Sequence, residues 1–351
     1  MGMKAMVYGA FGERLREMEL PDPAVLDGGV VIRVRAAGVC RSDWHAWQGH
    51  DPDIKVLPHV PGHEFAGEIA AVGRGVRRWR EGDLVTVPFA CGCGGDACEE
   101  CAAGQAQVCP RQYQPGFSGA GAFAELVAVP SADFNVVRLP EGVSFAAAAA
   151  LGCRFATAFR ALVHGDQAAV RSGEQLVVFG CGGVGLSVVM IAVALGARVL
   201  AVDPREDARE KAKELGAEMV SGVDEALEVV RVWTGGRGTE VAVEAVGRAE
   251  VCALAVRSLR PRGRMVQIGL LLGRHADPAV PMGLVIAREL RIIGSHGMAA
   301  AAYPEMLAMV GDGRLKPERL MGRVIGFGEI PGALEAMTTN EGAAGAVVAA
   351  W

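Results

Sequence analysis

The run Gln175-Leu176-Val177-Val178-Phe179-Gly180-Cys181-Gly182-Gly183-Val184-Gly185 leaves this chain few folds to choose from. Gln175 and the four apolar residues after it read as a buried strand. The glycines at 180, 182 and 185 then match GxGxxG, and an apolar helical segment follows to Gly196. Alone, such a glycine pattern is weak. Between a strand and a helix it predicts a dinucleotide-binding turn, because the glycines permit the tight bend, the approach of backbone to pyrophosphate and close helix packing. The helix N-terminus favours the phosphate charge. Gly180, Gly182, Gly183, Val184 and Gly185 are therefore candidate cofactor contacts.

Arg198-Val199-Leu200-Ala201-Val202-Asp203 predicts the next strand, with Asp203 at its end. A carboxylate there accepts both ribose hydroxyls and repels a 2′-phosphate, which favours NAD over NADP. Arg205 is the counter-signal, since an arginine suits a phosphate; Asp203 is also placed to cap the helix opened by Pro204. A helix is expected over 206–215, and strands over 241–247 and 263–269. Strands alternating with helices predict a doubly wound parallel sheet.

The N-terminal part reads differently. Strand-like runs at 4–8, 30–36, 67–73 and 83–87 lie between turn residues without long helical patterns, predicting an all-β, barrel-like domain. Within it, Cys40-Arg41-Ser42-Asp43-Trp44-His45 and Gly62-His63-Glu64 gather thiol, hydroxyl, carboxylate and imidazole groups. Cys153 offers a further thiolate. Two thiolates and one imidazole suit zinc, and three protein ligands leave the fourth tetrahedral corner open, as a catalytic site requires. Cys153 and Thr157 are expected on one helical face by their spacing. Ser42 and His45 form a candidate proton path: a hydroxyl beside the reacting oxygen, then an imidazole able to release the proton near neutral pH. The plainer alternative for His45 is a solvated helix residue. His50 and His59 are read as loop histidines near the pocket mouth. Trp44 and Trp47, with Phe89 and Phe117 further along, are pocket walls or core.

Five thiols stand at Cys91, Cys93, Cys98, Cys101 and in the following Cys109. Cys181 and Cys252 read as packing thiols. The chain has nine cysteines and opens into strand-like sequence with no export signal, so metal binding is favoured over disulfides and a cytoplasmic location is expected.

Together these segments resemble the zinc-dependent medium-chain alcohol dehydrogenases along nearly the whole chain. The resemblance implies an α/β fold with an all-β part: a GroES-like β-barrel catalytic domain over 1–152, completed by about 292–351, and a Rossmann NAD-binding domain over 153–291. It implies a catalytic zinc on Cys40, His63 and Cys153, the ligand set known for alcohol dehydrogenase. Asp43 would orient the ligating imidazole. Glu64 would tune or briefly ligate the metal, or be a buried paired acid. Arg41 falls at a pyrophosphate contact, Val184 and Thr157 beside the nicotinamide, and main-chain groups of Ile268 and Ser295 at its carboxamide. The active site is expected in the cleft between the domains. A structural zinc would sit on Cys98, Cys101, Cys109 and a fourth thiolate. The family pattern expects that arm at Gly95, so a two-residue insertion is implied, with Cys93 favoured over Cys91. The alternative is an empty or disulfide-bonded lobe.

The implied activity is reversible hydride transfer between a primary or secondary alcohol and NAD, giving aldehyde or ketone. Rival readings are a polyol or threonine-type dehydrogenase on the same scaffold, and a non-catalytic NAD-binding relative. Against the first, Cys153 stands where the polyol branch commonly uses glutamate. Net charge is −5 with both signs interspersed, which argues against nucleic acid, and the longest apolar stretch is too short to span a membrane. A homodimer or homotetramer is expected.

Overall fold

The computed structural model describes residues 2–95, 97–339 and 345–351. The chain divides into two compact units. The first joins Met1–Ala156 to the C-terminal portion from Gly297; the second is chiefly Thr157–His296.

The first unit is built on a seven-stranded sheet. Its order runs Met321–Ile325, Ala346–Ala350, Val30–Val39, Glu64–Val72, Leu84–Thr86, Val137–Arg138, with Leu126–Val129 also paired to Val30–Val39. All pairings are antiparallel except that of Met321–Ile325 with Ala346–Ala350. Val30–Val39 is the long central strand, and its apolar residues sit in the main core with Phe65, Ile69 and Phe123. Its pairing with Glu64–Val72 sets Gly38 opposite Glu64. One strand therefore ends at Val39 where the other begins at Glu64, so Cys40 and His63 emerge side by side. Among its described residues the C-terminal portion carries two α-helices, Tyr303–Gly311 and Ile330–Ala336. In the second, Pro331 is tolerated because it lies in the first helical turn, where no hydrogen bond is lost.

In the second unit, the six strands are Gln175–Phe179, Arg198–Val202, Met219–Ser221, Thr239–Glu244, Leu259–Gln267 and Arg291–Gly294. Counted in chain order they lie 3-2-1-4-5-6, all parallel. This is the doubly wound order with its switch point beside Gln175–Phe179. That first strand is wholly buried, which explains its unbroken apolar run. No helix among the described residues is long and apolar enough to cross a membrane.

Candidate active site

Cys40 follows the central strand directly and caps helix Arg41–Trp47. Asp43, in the first turn, accepts from the Cys40 backbone N–H at 3.0 Å. Its other oxygen accepts from the Gly62 N–H at 3.2 Å and meets His63 Nδ1 at 2.8 Å. One carboxylate thus ties the helix start to the turn before Glu64–Val72 and fixes the imidazole. Asp43 and His63 are both fully buried. Nδ1 is held as the donor, which leaves Nε2 bare. That Nε2 is buried and has no hydrogen-bond partner.

Cys153 arrives from a different direction. Helix Phe145–Ala149 runs into a π-helical turn, Leu151–Phe155, and only then into helix Ala156–Val163. Cys153 and Thr157 are therefore joined by a π turn running into an α-helix, not by one uninterrupted α-helix. A π turn carries more residues than an α turn, and such turns are frequent at functional sites. Gly152 packs closely on strand Glu64–Val72, where a Cβ would lie 3.1 Å from the Glu64 Cα. Its carbonyl accepts from the Tyr303 hydroxyl at 3.1 Å. Cys153 belongs to the same compact unit as Cys40 and His63.

The donor atoms of Cys40, His63, Glu64 and Cys153 lie within 4.8 Å of one another. The Cys40 thiol is held well below its ordinary range, chiefly by the bond from Cys153 and then by the charge of Arg154. Cys153 is pushed up by the same partner. Glu64 is fully buried and paired with Arg154. Its Oε1 accepts from the Arg154 backbone N–H at 3.1 Å and from Nε at 3.0 Å, and Oε2 accepts from Nη2. Both oxygens are thereby engaged. Phe117 and Phe89 flank His63, with ring centroids 5.0 and 6.0 Å away.

The surrounding candidates are placed as follows. Ser42 Oγ is 3.9 Å from Cys40 Sγ. Arg41 donates to the Met337 carbonyl and lies 5.1 Å over the Trp44 ring. Trp44 is half-buried, and its ring N–H donates to Thr338 at 3.0 Å. Trp47 takes the core alternative instead of the pocket wall: it is buried in the main cluster and donates to the Glu13 carbonyl at 2.6 Å. His59 is also not a loop-mouth residue. It is buried, with Nε2 2.9 Å from the Gly116 carbonyl oxygen.

Cys93, Cys98, Cys101 and Cys109 form a second set of donors within 4.8 Å of one another. The closest sulfurs are 3.6 Å apart, Cys98 to Cys109, and 3.8 Å apart, Cys93 to Cys101. These spacings are far beyond a disulfide bond, and all nine cysteines are free. Gly94, at φ +69°, turns the chain so that Cys93 joins the group. Cys91 points away: it is buried, donates to the Pro88 carbonyl at 3.5 Å, and burial pushes its thiol up. Asp96, part of the Gly-Gly-Asp segment, lies outside the described residues.

In the second unit, Gly180 takes φ +95° and Gly182 caps helix Gly183–Ala194, which contains Val184. A Cβ on Gly185 would lie 1.7 Å from the Gly180 carbonyl oxygen, so only glycine fits. Asp203 stands at the end of its strand and accepts from the N–H groups of Cys181 at 2.7 Å and Arg205 at 2.9 Å. The Arg205 guanidinium forks onto Asp207, at 3.1 and 2.8 Å. Ile268 donates its N–H to the Glu244 carbonyl at 3.0 Å. Ser295 donates its N–H to the Gln267 carbonyl at 3.0 Å, and its hydroxyl is buried without a partner. Thr157 is buried at the start of helix Ala156–Val163. Cys181 and Cys252 are buried packing thiols.

Residues 26–141 match the alcohol dehydrogenase GroES-like domain, and 183–312 match the zinc-binding dehydrogenase domain. An alcohol dehydrogenase of Geobacillus stearothermophilus is 34% identical over 319 residues, covering 90% of each chain. The NAD-dependent alcohol dehydrogenase of Sulfurisphaera tokodaii is 32% identical over 328 residues, covering 90% of this chain and 91% of its own. A crystal structure of an NAD-dependent alcohol dehydrogenase superposes with a TM-score of 0.89 at 31% identity, over 99% of this chain and 100% of the other. The chain belongs to the zinc-dependent medium-chain alcohol dehydrogenase family.

The donor sets fit the metal of that family. A buried imidazole nitrogen with no partner, beside two buried or half-buried thiols, is costly unless a cation takes its lone pair. Four thiols gathered without a disulfide fit a closed structural site. Among the residues in contact with this alcohol dehydrogenase site, Arg154 and Tyr303 have no role assigned from sequence, and His50 has only the reading of a loop histidine. Only Arg154 carried a local signal, an arginine inside an apolar run directly beside Cys153.

Proposed function

We propose that this protein exchanges hydride between a primary or secondary alcohol and NAD, giving an aldehyde or ketone, and runs the reverse reaction. The observation that carries this reading is the buried donor set of Cys40, His63 and Cys153 around an unpartnered imidazole nitrogen. These three residues would hold the catalytic zinc, and Cys93, Cys98, Cys101 and Cys109 the structural one. When bound, zinc acts as a Lewis acid that acidifies an alcohol, and NAD accepts the hydride.

The chain's own residues supply position and proton handling. Asp43 holds the His63 ring in the tautomer that presents Nε2. Phe89 and Phe117 keep water from its faces. Arg154 ties down Glu64, which leaves the cluster a corner free of a committed fourth protein ligand. Ser42 and His45 carry the alcohol proton outward. Gly180, Gly182, Gly183, Val184 and Gly185 receive the NAD pyrophosphate, while Asp203 selects the ribose hydroxyls and the Arg205 guanidinium is paired with Asp207. Arg41, Thr157, Ile268 and Ser295 complete the nucleotide contacts.

A cofactor-linked assay across primary, secondary, aromatic and polyhydroxy alcohols, with zinc content measured on the same sample, tests the reading. Turnover that needs zinc and prefers simple alcohols is expected; full turnover after metal removal would contradict it. Asp43→Asn should lower zinc affinity by about 10–100-fold, read by competition with a chelator. Wild-type affinity in that variant would remove Asp43 from the site.

A cytoplasmic location is consistent with nine free thiols. The edge strand Arg291–Gly294, with Ile292 and the neighbouring Ile286 and Met282 exposed, suits edge pairing into a homodimer or homotetramer. Sedimentation of the wild type and of an Ile292→Lys variant checks this, with dissociation expected in the variant.

A further inference from the structure

Helix Arg41–Trp47 stops in a way that creates a pair of imidazoles. Gly49 takes φ +75°, its N–H donates to the Ala46 carbonyl at 3.0 Å, and the His50 N–H donates to the His45 carbonyl at 2.9 Å. This double bond pattern is the Schellman stop, which presses the side chain two residues past the helix end against one in its last turn. That contact is usually apolar. Here it joins two histidines, with Nδ1 of His45 3.2 Å from Nδ1 of His50. Such a bond requires one protonated and one bare nitrogen, so the pair shares a proton. The Trp44 ring stands edge-on to both imidazoles, at 5.0 and 5.7 Å. Phe11 backs the turn: a Cβ on Gly49 would lie 3.0 Å from its ring. The pair also spans an exposure gradient, with His45 half-buried and His50 exposed.

We propose that His50 is the outlet of the proton path, taking the proton from His45 across the Nδ1–Nδ1 bond and passing it to water. This rests on the dehydrogenase reading above. In the step, His45 takes the incoming proton on Nε2 as its Nδ1–H bond breaks, the His50 Nδ1–H bond forms, and the His50 Nε2–H bond breaks to give that proton to water; no electrons move. The charged groups facing His45 are Arg41 and Cys40, with His50 beside it. Burial, then His50 and Arg41, push the His45 pKa down to about 4, against the pull of Cys40. A proton therefore does not rest on His45 and needs an acceptor. Asp51 follows His50 in the chain, with Oδ1 accepting from the Asp53 N–H at 2.9 Å.

The test uses zinc-loaded enzyme, NAD and the best alcohol of the panel, with proton release followed by a pH-indicator dye in stopped flow. His50→Gln should slow proton release by about tenfold with KM unchanged, a loss below the full range of general acid–base effects. The deficit should be greatest at lower pH, where hydroxide is scarce, and concentrated imidazole buffer should relieve it. A His45→Gln/His50→Gln double variant should be no slower than His45→Gln alone, because the two act in series. His50→Phe keeps the ring contact of the turn and should behave as His50→Gln, which separates proton transfer from folding. Proton release at the wild-type rate in either His50 variant at every pH would overturn the outlet. So would a full additional loss in the double variant, or ring ¹⁵N spectra of the wild type showing no proton shared between the two Nδ1 atoms. A wild type inactive on the whole panel would overturn the dehydrogenase reading itself, an outcome distinct from these.

Discussion

Cys40→Ala and His63→Ala should each lower kcat/KM by at least about 10³-fold, equivalent to roughly 4 kcal/mol in the barrier. The reason is geometric. Both residues are set by the ends of two paired strands, and Asp43 fixes the imidazole, so no neighbouring side chain is free to replace either. Cys153 comes from a separate turn and cannot hold a metal alone. NAD affinity should stay near the parent value, since the glycine turn and Asp203 belong to the other compact unit. The measurements are steady-state rates, zinc content, and nucleotide affinity by fluorescence or calorimetry on the same preparations. A variant that loses zinc yet turns over at the parent rate would end the account.

Arg154→Met should destabilise the protein by about 3–5 kcal/mol, the cost typical of leaving a buried charge without its partner. Burial pushes the Glu64 carboxyl up, and Arg154 is the first group opposing that push. Without the guanidinium, Glu64 must ionise with no counter-charge in contact or take up a proton. The carboxyl cannot swing to water: Gly38 and Gly152 press against it, and a Cβ on Gly152 would already meet its chain at 3.1 Å. Thermal unfolding at neutral pH is the measurement, with a drop of roughly 10 °C expected. Adding Glu64→Gln to Arg154→Met should recover most of the loss, because an amide tolerates the site better than an orphaned charge. An Arg154→Met protein that melts with the parent would show that the pair adds nothing to stability.

The parts of this protein that could be read from sequence are those decided by neighbours along the chain. A strand, a turn that needs glycine, a helix and a terminal carboxylate follow one another within 29 residues from Gln175 to Asp203. Their backbone geometry is local, so their order is already the fold of that unit. The ligand types at Cys40, His63 and Cys153 were likewise visible, because few residues bind zinc. What remained hidden depended on angles and registers that spacing does not contain. The choice of Cys93 over Cys91 was made by tertiary position: the Cys93 sulfur lies 3.8 Å from that of Cys101, while Cys91, bridged to Tyr113, turns its thiol to the Pro88 carbonyl. Trp47 went to the core because a helix face, not a count of tryptophans, decides what is buried. Arg154 meets Glu64, 90 residues away, from a π turn that no spacing in the sequence announces. The histidine pair exists because of how one short helix ends. Composition and order along the chain determined which chemical groups were available. Tertiary packing alone determined which of them touch, since burial and hydrogen-bond partners are set by segments far apart in sequence.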